Sequence, residues 1–553
     1  MSKTESMDFS DDRLLSLAAS MIDDHNLIGA LKILNKNAEL NYNDDRSYML
    51  YAEAYDDMGL YERSVNYWFR YLDEAPDGDN GDAFEGLAVN YMNLGNENFA
   101  AYYYNKMLVE TEDLTPETRR DIIDSFLRKQ ENPLRFAWPP RLADYSAEIS
   151  KGVECMRARR YDEAVAEFEK VADGNPRYLT ARNYIAMCMI IADRCDEAEA
   201  ECREILRRKP DDVQALTTLA AVKTEQKRAE DGREIALRLV RLNVSDPDDI
   251  YKIATVCCEN GLHEQAYLMF CKLGGEFSYD TTVLYFKAIS AYNCGRTEDS
   301  LAAFEKLLTI NPDAVVARYY MLRVRRNIEE GKTEELGYFY RLPQEQREDA
   351  LRVITEYCSL SGKEAYRYSG ETDVLSRIKW SFDELESSDD NQLHLAAAMC
   401  AVKGGYDDYV RELLLNAFLA DGLKIAILHD LCARNEDNRF GVVICNIYKG
   451  VDTYRLSVGR NKRKYFVQAY AALVSRFGIF EESYSSTFCR TAEELYARLE
   501  ERGALSCAAA VKALSAAIFA ISGVREAVVP EVDVCGFFEA DRAAYDKIME
   551  AGA

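Results

Sequence analysis

The fold turns on 160-RYDEAVAEFEKVADGNP-176 and on the similar stretch that follows it, 194-RCDEAEAECREILRRKP-210. Each places apolar or small residues at helical intervals and ends on a proline. Proline cannot continue a helix, because it lacks a backbone donor and its ring clashes with the preceding turn. Pro176 and Pro210 stand 34 residues apart. A fixed period of that length predicts stacked helical pairs, each unable to bury its apolar face without its neighbours.

Extending the period gives frames starting at Tyr145, Leu179, Val213, Pro247 and Thr281. Their first helices carry Gly152, Ala186, Ala220, Ala254 and Ala288 at one position, and their second helices carry Ala164, Ala198, Gly232, Ala266 and Ser300. Antiparallel helices approach closely only where side chains are small, so these residues mark the crossing within each pair. Phe168, Cys202, Ala236, Phe270 and Phe304 then fill the space between pairs, and Pro176, Pro210 and Pro312 close them. Frames near Asp11, Asp45 and Gly81 repeat the pattern, with Ala18, Ala52 and Ala88 opposite Ala30, Ser64 and Ala100, and with Gly59 and Gly95 at the turns.

This arrangement resembles the tetratricopeptide repeat (TPR) family: a helix-turn-helix of 34 residues with small residues at both crossings, an aromatic in the second helix and a closing proline. Eight units match, over 11–112 and 145–314. The unit at 213–246 departs most, lacking the proline and the aromatic. The expected fold is all-α: a superhelical solenoid in two blocks, followed by a helical C-terminal domain, HEAT-like in its pairs. The expected organisation is a flexible 1–10, block one at 11–112, a capping helix with a proline-stiffened connector at 113–144, block two at 145–330 with a partial ninth unit, and the C-terminal domain at 331–553.

Composition narrows the function. The formal charge of −27 over 553 residues disfavours general binding to nucleic acid or anionic membranes. The polar, acidic "MSKTESMDFSDDRLL" does not read as a secretory signal, and no apolar run reaches the roughly 18 residues that span a bilayer. A cytoplasmic protein is expected. The fifteen cysteines include no C-x-x-C pair, so they read as reduced thiols.

Catalytic motifs fail residue by residue. "HEQAY" at 263–267 begins like a zinc-protease motif, but Tyr267 replaces the second histidine. "SGK" at 361–363 lacks the first glycine and the hydroxyl of a phosphate loop, and "DGDNGD" at 77–82 has Gly81 where a calcium loop needs a ligand. His429 and Cys432 share a helix face, but two ligands do not make a zinc site. No enzyme activity and no cofactor or metal are expected.

The resemblance implies a concave surface lined by the first helices, where such solenoids meet their ligands. One groove position reads Asn183, Thr217, Tyr251, Tyr285 and Tyr319, and its neighbours include Met187, Thr255, Ile289 and Tyr292. Three tyrosines spaced 34 apart suit an extended peptide or a helix, since each offers an apolar face and a hydroxyl at little entropic cost. The same rings could instead pack onto neighbouring helices. Arg323 and Arg326 either hold an acidic stretch of a partner or pair with the glutamates at 329–330. A chaperone-tail carboxylate clamp is absent, because its places hold Thr217, Ala221, Lys252, Thr282 and Phe286, or Tyr251, Thr255, Phe286, Val316 and Tyr320 in the next frame. The expected role is a protein-binding scaffold. The alternative is a regulator that contacts nucleic acid through Arg460, Lys462, Arg463 and Lys464, a cluster that could equally balance nearby acidic helices.

Overall fold

The structure, a computed structural model, describes residues 11–40, 43–75, 80–110, 115, 117, 119–120, 122, 145–383 and 391–552. The flexible terminus expected at 1–10, Pro76 with 77–79 of the acidic loop, and nearly all of the capping helix and connector expected at 113–144 lie outside the described residues. The chain forms two compact units, one of residues 1–123 with 341–553 and one of residues 124–340.

The repeat register is followed closely. First helices run Asp11–Asp23, Asp45–Asp57, Gly81–Asn93, Ser146–Arg157, Tyr178–Ile191, Val213–Glu225, Pro247–Glu259 and Thr281–Asn293. Their partners run Leu27–Leu40, Tyr61–Glu74, Glu97–Glu110, Tyr161–Phe168, Cys195–Arg208, Ala229–Val240, His263–Glu276 and Thr297–Ile310, and a ninth first helix spans Val315–Glu330. Ala186, Ala220, Ala254 and Ala288 are fully buried, as are Ala198, Ala266 and Ser300 opposite them. Asp212, Asp246 and Asp280, again 34 apart, each cap a first helix by accepting from backbone N–H groups of its opening turn.

One boundary differs from expectation. The helix of the opening stretch ends at Phe168 rather than running on to Pro176. Asp173, Gly174 and Asn175 favour a turn, and Arg208 of the next pair holds the Asp173 carboxylate at 2.7 Å. Val171, beyond the helix end, is buried in the core.

The fifteenth residue of all eight frames is left-handed, whether it is Gly59, Gly95, Gly261 and Gly295 or His25, Arg159, Asp193 and Lys227, with φ from 54° to 82°. This conformation lets Arg296 N–H reach Ala291 O at 2.8 Å and turns the chain into its second helix. A Cβ on Gly295 would meet nothing within 4 Å. Gly295→Ala should therefore cost about 1 kcal/mol through backbone conformation alone. A lowered urea midpoint at an unchanged slope would show it.

The C-terminal segment is helical over Gln344–Ser359, Gly362–Glu371, Val374–Asp383, Asn391–Gly404, Asp407–Leu415, Asp421–Cys432, Arg463–Phe477, Glu482–Glu501, Val511–Ile521 and Arg542–Gly552, with short turns of helix between. One core that includes Val353, Ile378, Leu428, Phe466, Leu473, Phe488 and Leu514 joins these helices. The segment is nearly all helical, as expected, with one short exception. Asn438–Ile444 (β1) and Ile447–Thr453 (β2) form an antiparallel hairpin that interrupts the expected helical pairs. Val442 and Val451 pack into the C-terminal core, Val443 packs against the first block, and Cys445 and Asn446 take the left-handed turn that matches strand twist. The helix Asp407–Leu415 ends where the chain turns so that the Ala417 N–H donates to the Asn66 side chain.

That last bond belongs to a larger contact within the same unit. The first block carries the C-terminal segment mainly on its second helices. Tyr103 Oη donates to Asn446 O at 2.6 Å and Tyr91 Oη to Asn446 Oδ1 at 2.9 Å, so two tyrosines grip the hairpin turn. Asp73, nearly buried, accepts from Tyr448 Oη at 3.0 Å and from Arg411, which also reaches Glu74 at 2.8 Å. Gly441 allows this approach, because a Cβ there would fall on the Asp73 carboxylate.

Candidate functional site: the first-helix face of residues 247–340

The three tyrosines spaced 34 apart have three different environments. Tyr251 is 38% exposed, with its ring edge-on to Phe270. Tyr285 has no exposed surface, and Tyr319 is half-buried against Tyr320. Ile289 and Tyr292 are buried too, the latter receiving a hydrogen bond from Asn327 Nδ2 at 2.9 Å. Further up the array, Asn183 is buried and donates to the capping Asp212 at 3.0 Å. Met187 faces Gln214, while Thr217 and Thr255 bond back to carbonyls four residues earlier in their own helices.

The cause of the difference is the segment that follows Glu330. It leaves the ninth helix and returns, without helical structure, along the face of Thr281–Asn293. Glu334 pairs with Arg323 at 2.5 Å, a contact that lowers the carboxyl and raises the guanidinium. Asn293 meets the Leu336 backbone twice: Nδ2 donates to Leu336 O and Oδ1 accepts from Leu336 N, both at 2.8 Å. Tyr338 stacks on His263, with its hydroxyl 2.8 Å from Nδ1, and burial pushes its phenol upward. Tyr285 Oη donates to Phe339 O at 3.0 Å, and the Tyr340 ring packs edge-on at 4.7 Å. Leu336 keeps only 2% of its surface exposed.

Of the two arginines singled out in sequence, Arg323 is thus engaged by Glu334 and Arg326 remains exposed. Asn293 and His263 were missed as parts of this face. The available signals were an acidic pair, Glu334 and Glu335, placed after an arginine-rich helix, and the clustered aromatics 338–340. In the basic cluster, Arg463 turns inward and donates to Val458 O at 2.6 Å, and Lys462 and Lys464 lie over the Tyr465 ring. Arg460 is exposed. Cys432 is buried and His429 bonds Asp430. Among the described residues no helix is long and apolar enough to cross a membrane.

The geometry defines an array of helical pairs with one face formed by first helices. Residues 156–222 match the family model described as tetratricopeptide repeat. By that match this stretch is made of tetratricopeptide repeats, and the helical pairs on either side of it keep the same register. Similar solved structures include TTC0263, a thermophilic TPR protein in Thermus thermophilus, at 16% identity and TM-score 0.26, covering 33% of this chain and 99% of that one. YrrB, a TPR protein with an unusual peptide-binding site, matches at 16% identity and TM-score 0.25, covering 32% and 91%. The TPR2AB-domain:pHSP90 complex of yeast Sti1 matches at 17% identity and TM-score 0.20, covering 48% and 98%. Comparison with curated proteins finds no match.

Proposed function

We propose that the chain is a non-enzymatic scaffold that binds an extended segment of another protein on the first-helix face of residues 247–340. The carrying observation is the paired Asn293–Leu336 contact, in which one side-chain amide holds both backbone groups of a non-helical residue. Such a contact reads main chain rather than a particular side chain, so it suits a peptide of varied sequence. Arg323, His263 and Tyr285 around it supply the selective contacts: an acidic residue, then a buried Leu, then aromatics. On this reading residues 332–340 are a ligand held in cis, and a partner with the same acidic and aromatic order competes with them. A tethered segment has a high effective concentration, so it keeps weak competitors out.

The test uses a labelled peptide of sequence KTEELGYFYRL, matching residues 332–342, and the full chain. Wild type should bind it weakly. Leu336→Ala with Tyr338→Ala, which loosens the segment held in cis, should bind at least about tenfold more tightly. Adding Asn293→Ala should abolish that gain. Equal binding by wild type and the folded double variant, or a gain that survives Asn293→Ala, would overturn the reading. Hydrogen exchange on wild type provides a second check. Leu336 and Tyr338 should open while Thr281–Asn293 stays protected, and exchange only on global unfolding would count against a displaceable segment.

A further inference from the structure

Cys358 ends the helix Gln344–Ser359, and Cys400 lies in the helix Asn391–Gly404. Their sulfur atoms are 2.9 Å apart. Cys358 is exposed and Cys400 is buried, so the pair has one accessible member and one held behind it. Cys400 Sγ also lies 3.5 Å from Ile354 O. Lys403, one turn on from Cys400, donates to Tyr357 O and Cys358 O at 2.9 Å each, bringing its positive charge beside the outer thiol. The pair opens on a concavity of about 500 Å³ bordered by Met399, Lys403, Asp430 and Arg434.

We propose that Cys358 and Cys400 are a peroxide-responsive dithiol, with Cys358 attacking and Cys400 resolving. The Cys358 thiolate attacks one peroxide oxygen and the O–O bond breaks. The sulfur becomes a sulfenic acid, and the leaving hydroxide takes a proton to become water. Cys400, losing its proton, then attacks the Cys358 sulfur and expels the sulfenic oxygen as a second water. In total two thiols and one hydrogen peroxide give one disulfide and two waters. A bond length near 2.04 Å asks for an approach of about 0.9 Å. The attacking thiol is suited to its role: the hydrogen bond from Cys400, helped by Lys403 and opposed by burial, lowers Cys358 to about 7. Cys400 moves upward, chiefly through that same contact. A thiol that ionises near ambient pH combines a useful thiolate fraction with good nucleophilicity.

The other exposed cysteine supplies an internal comparison. Cys445 faces the Asp421 carboxylate at 3.4 Å, and that contact raises it. The full-length protein, reduced and then given hydrogen peroxide at a few equivalents, should lose two of its fifteen thiols. Mass spectrometry should recover a linked pair of peptides containing residues 358 and 400, and dithiothreitol should release them. In C400S the attacking cysteine should stop at a sulfenic acid trapped by dimedone, and in C358S Cys400 should stay unmodified. Circular dichroism checks that both variants fold. Earlier oxidation of Cys445, or oxidation of Cys358 in wild type to a sulfinic acid without the linked peptides, would overturn the proposal.

Discussion

Arg411→Ala should lower the stability of the unit containing the first repeat block and the C-terminal segment by about 3 kcal/mol, a loss typical of an ion pair whose partner stays buried. Asp73 keeps only 7% of its side chain exposed, and Arg411 is its one charged partner among the described contacts. Among the described contacts, removing the guanidinium leaves the Asp73 carboxylate supported by Tyr448 Oη alone and takes from Glu74 its contact at 2.8 Å. Arg411→Lys should recover only part of the loss, since an ammonium cannot reach both carboxylates with a planar fork. Trp68 reports the first block and Trp380 the C-terminal helices. In versions retaining one of these tryptophans, urea transitions should coincide for wild type, and Trp68 should report the earlier transition in Arg411→Ala. Coincident, unshifted transitions would show that the tyrosine grip on Asn446 suffices.

The second large effect concerns Tyr285. Tyr285→Ala should cost about 4 kcal/mol, as expected for deleting a fully buried aromatic ring. The ring contacts Phe286, Phe304, Tyr320 and Tyr340, with centroids 4.7 to 6.0 Å away. Tyr285→Phe keeps that packing and loses the bond to Phe339 O, for about 1 kcal/mol. Tyr251→Ala, at a site 38% exposed, should cost about 1 kcal/mol. Urea midpoints of the three variants give the ranking, and equal costs at 251 and 285 would contradict it. The ranking also governs how binding is tested. A variant changing both tyrosines to alanine confounds lost recognition with lost folding, whereas Tyr285→Phe removes one hydrogen bond to residues 332–340 and leaves the helices intact.

Much of this protein was legible in the residues alone. Small residues at 186, 220, 254 and 288, and at 198, 266 and 300, had to be crossings, because no larger side chain fits between helices that close. The glycines at 59, 95, 261 and 295 located the turns, since the left-handed conformation costs glycine little. The same conformation at Arg159, Asp193 and Lys227 shows that the repeat imposes the turn even where the residue resists it. The hairpin at 438–453 lay hidden in a segment otherwise of helical period, because Val442 and Val443 are buried on opposite faces and leave no alternation to read. What the sequence determined is the local repeat: helix lengths, crossings and register follow from side-chain size and backbone preference within 34 residues. What tertiary structure decided is which repeated positions are open. Tyr251, Tyr285 and Tyr319 are equivalent by period and unequal by burial, because residues 332–340 fold back over one of them, and a contact between residues 54 apart leaves no mark in a period of 34.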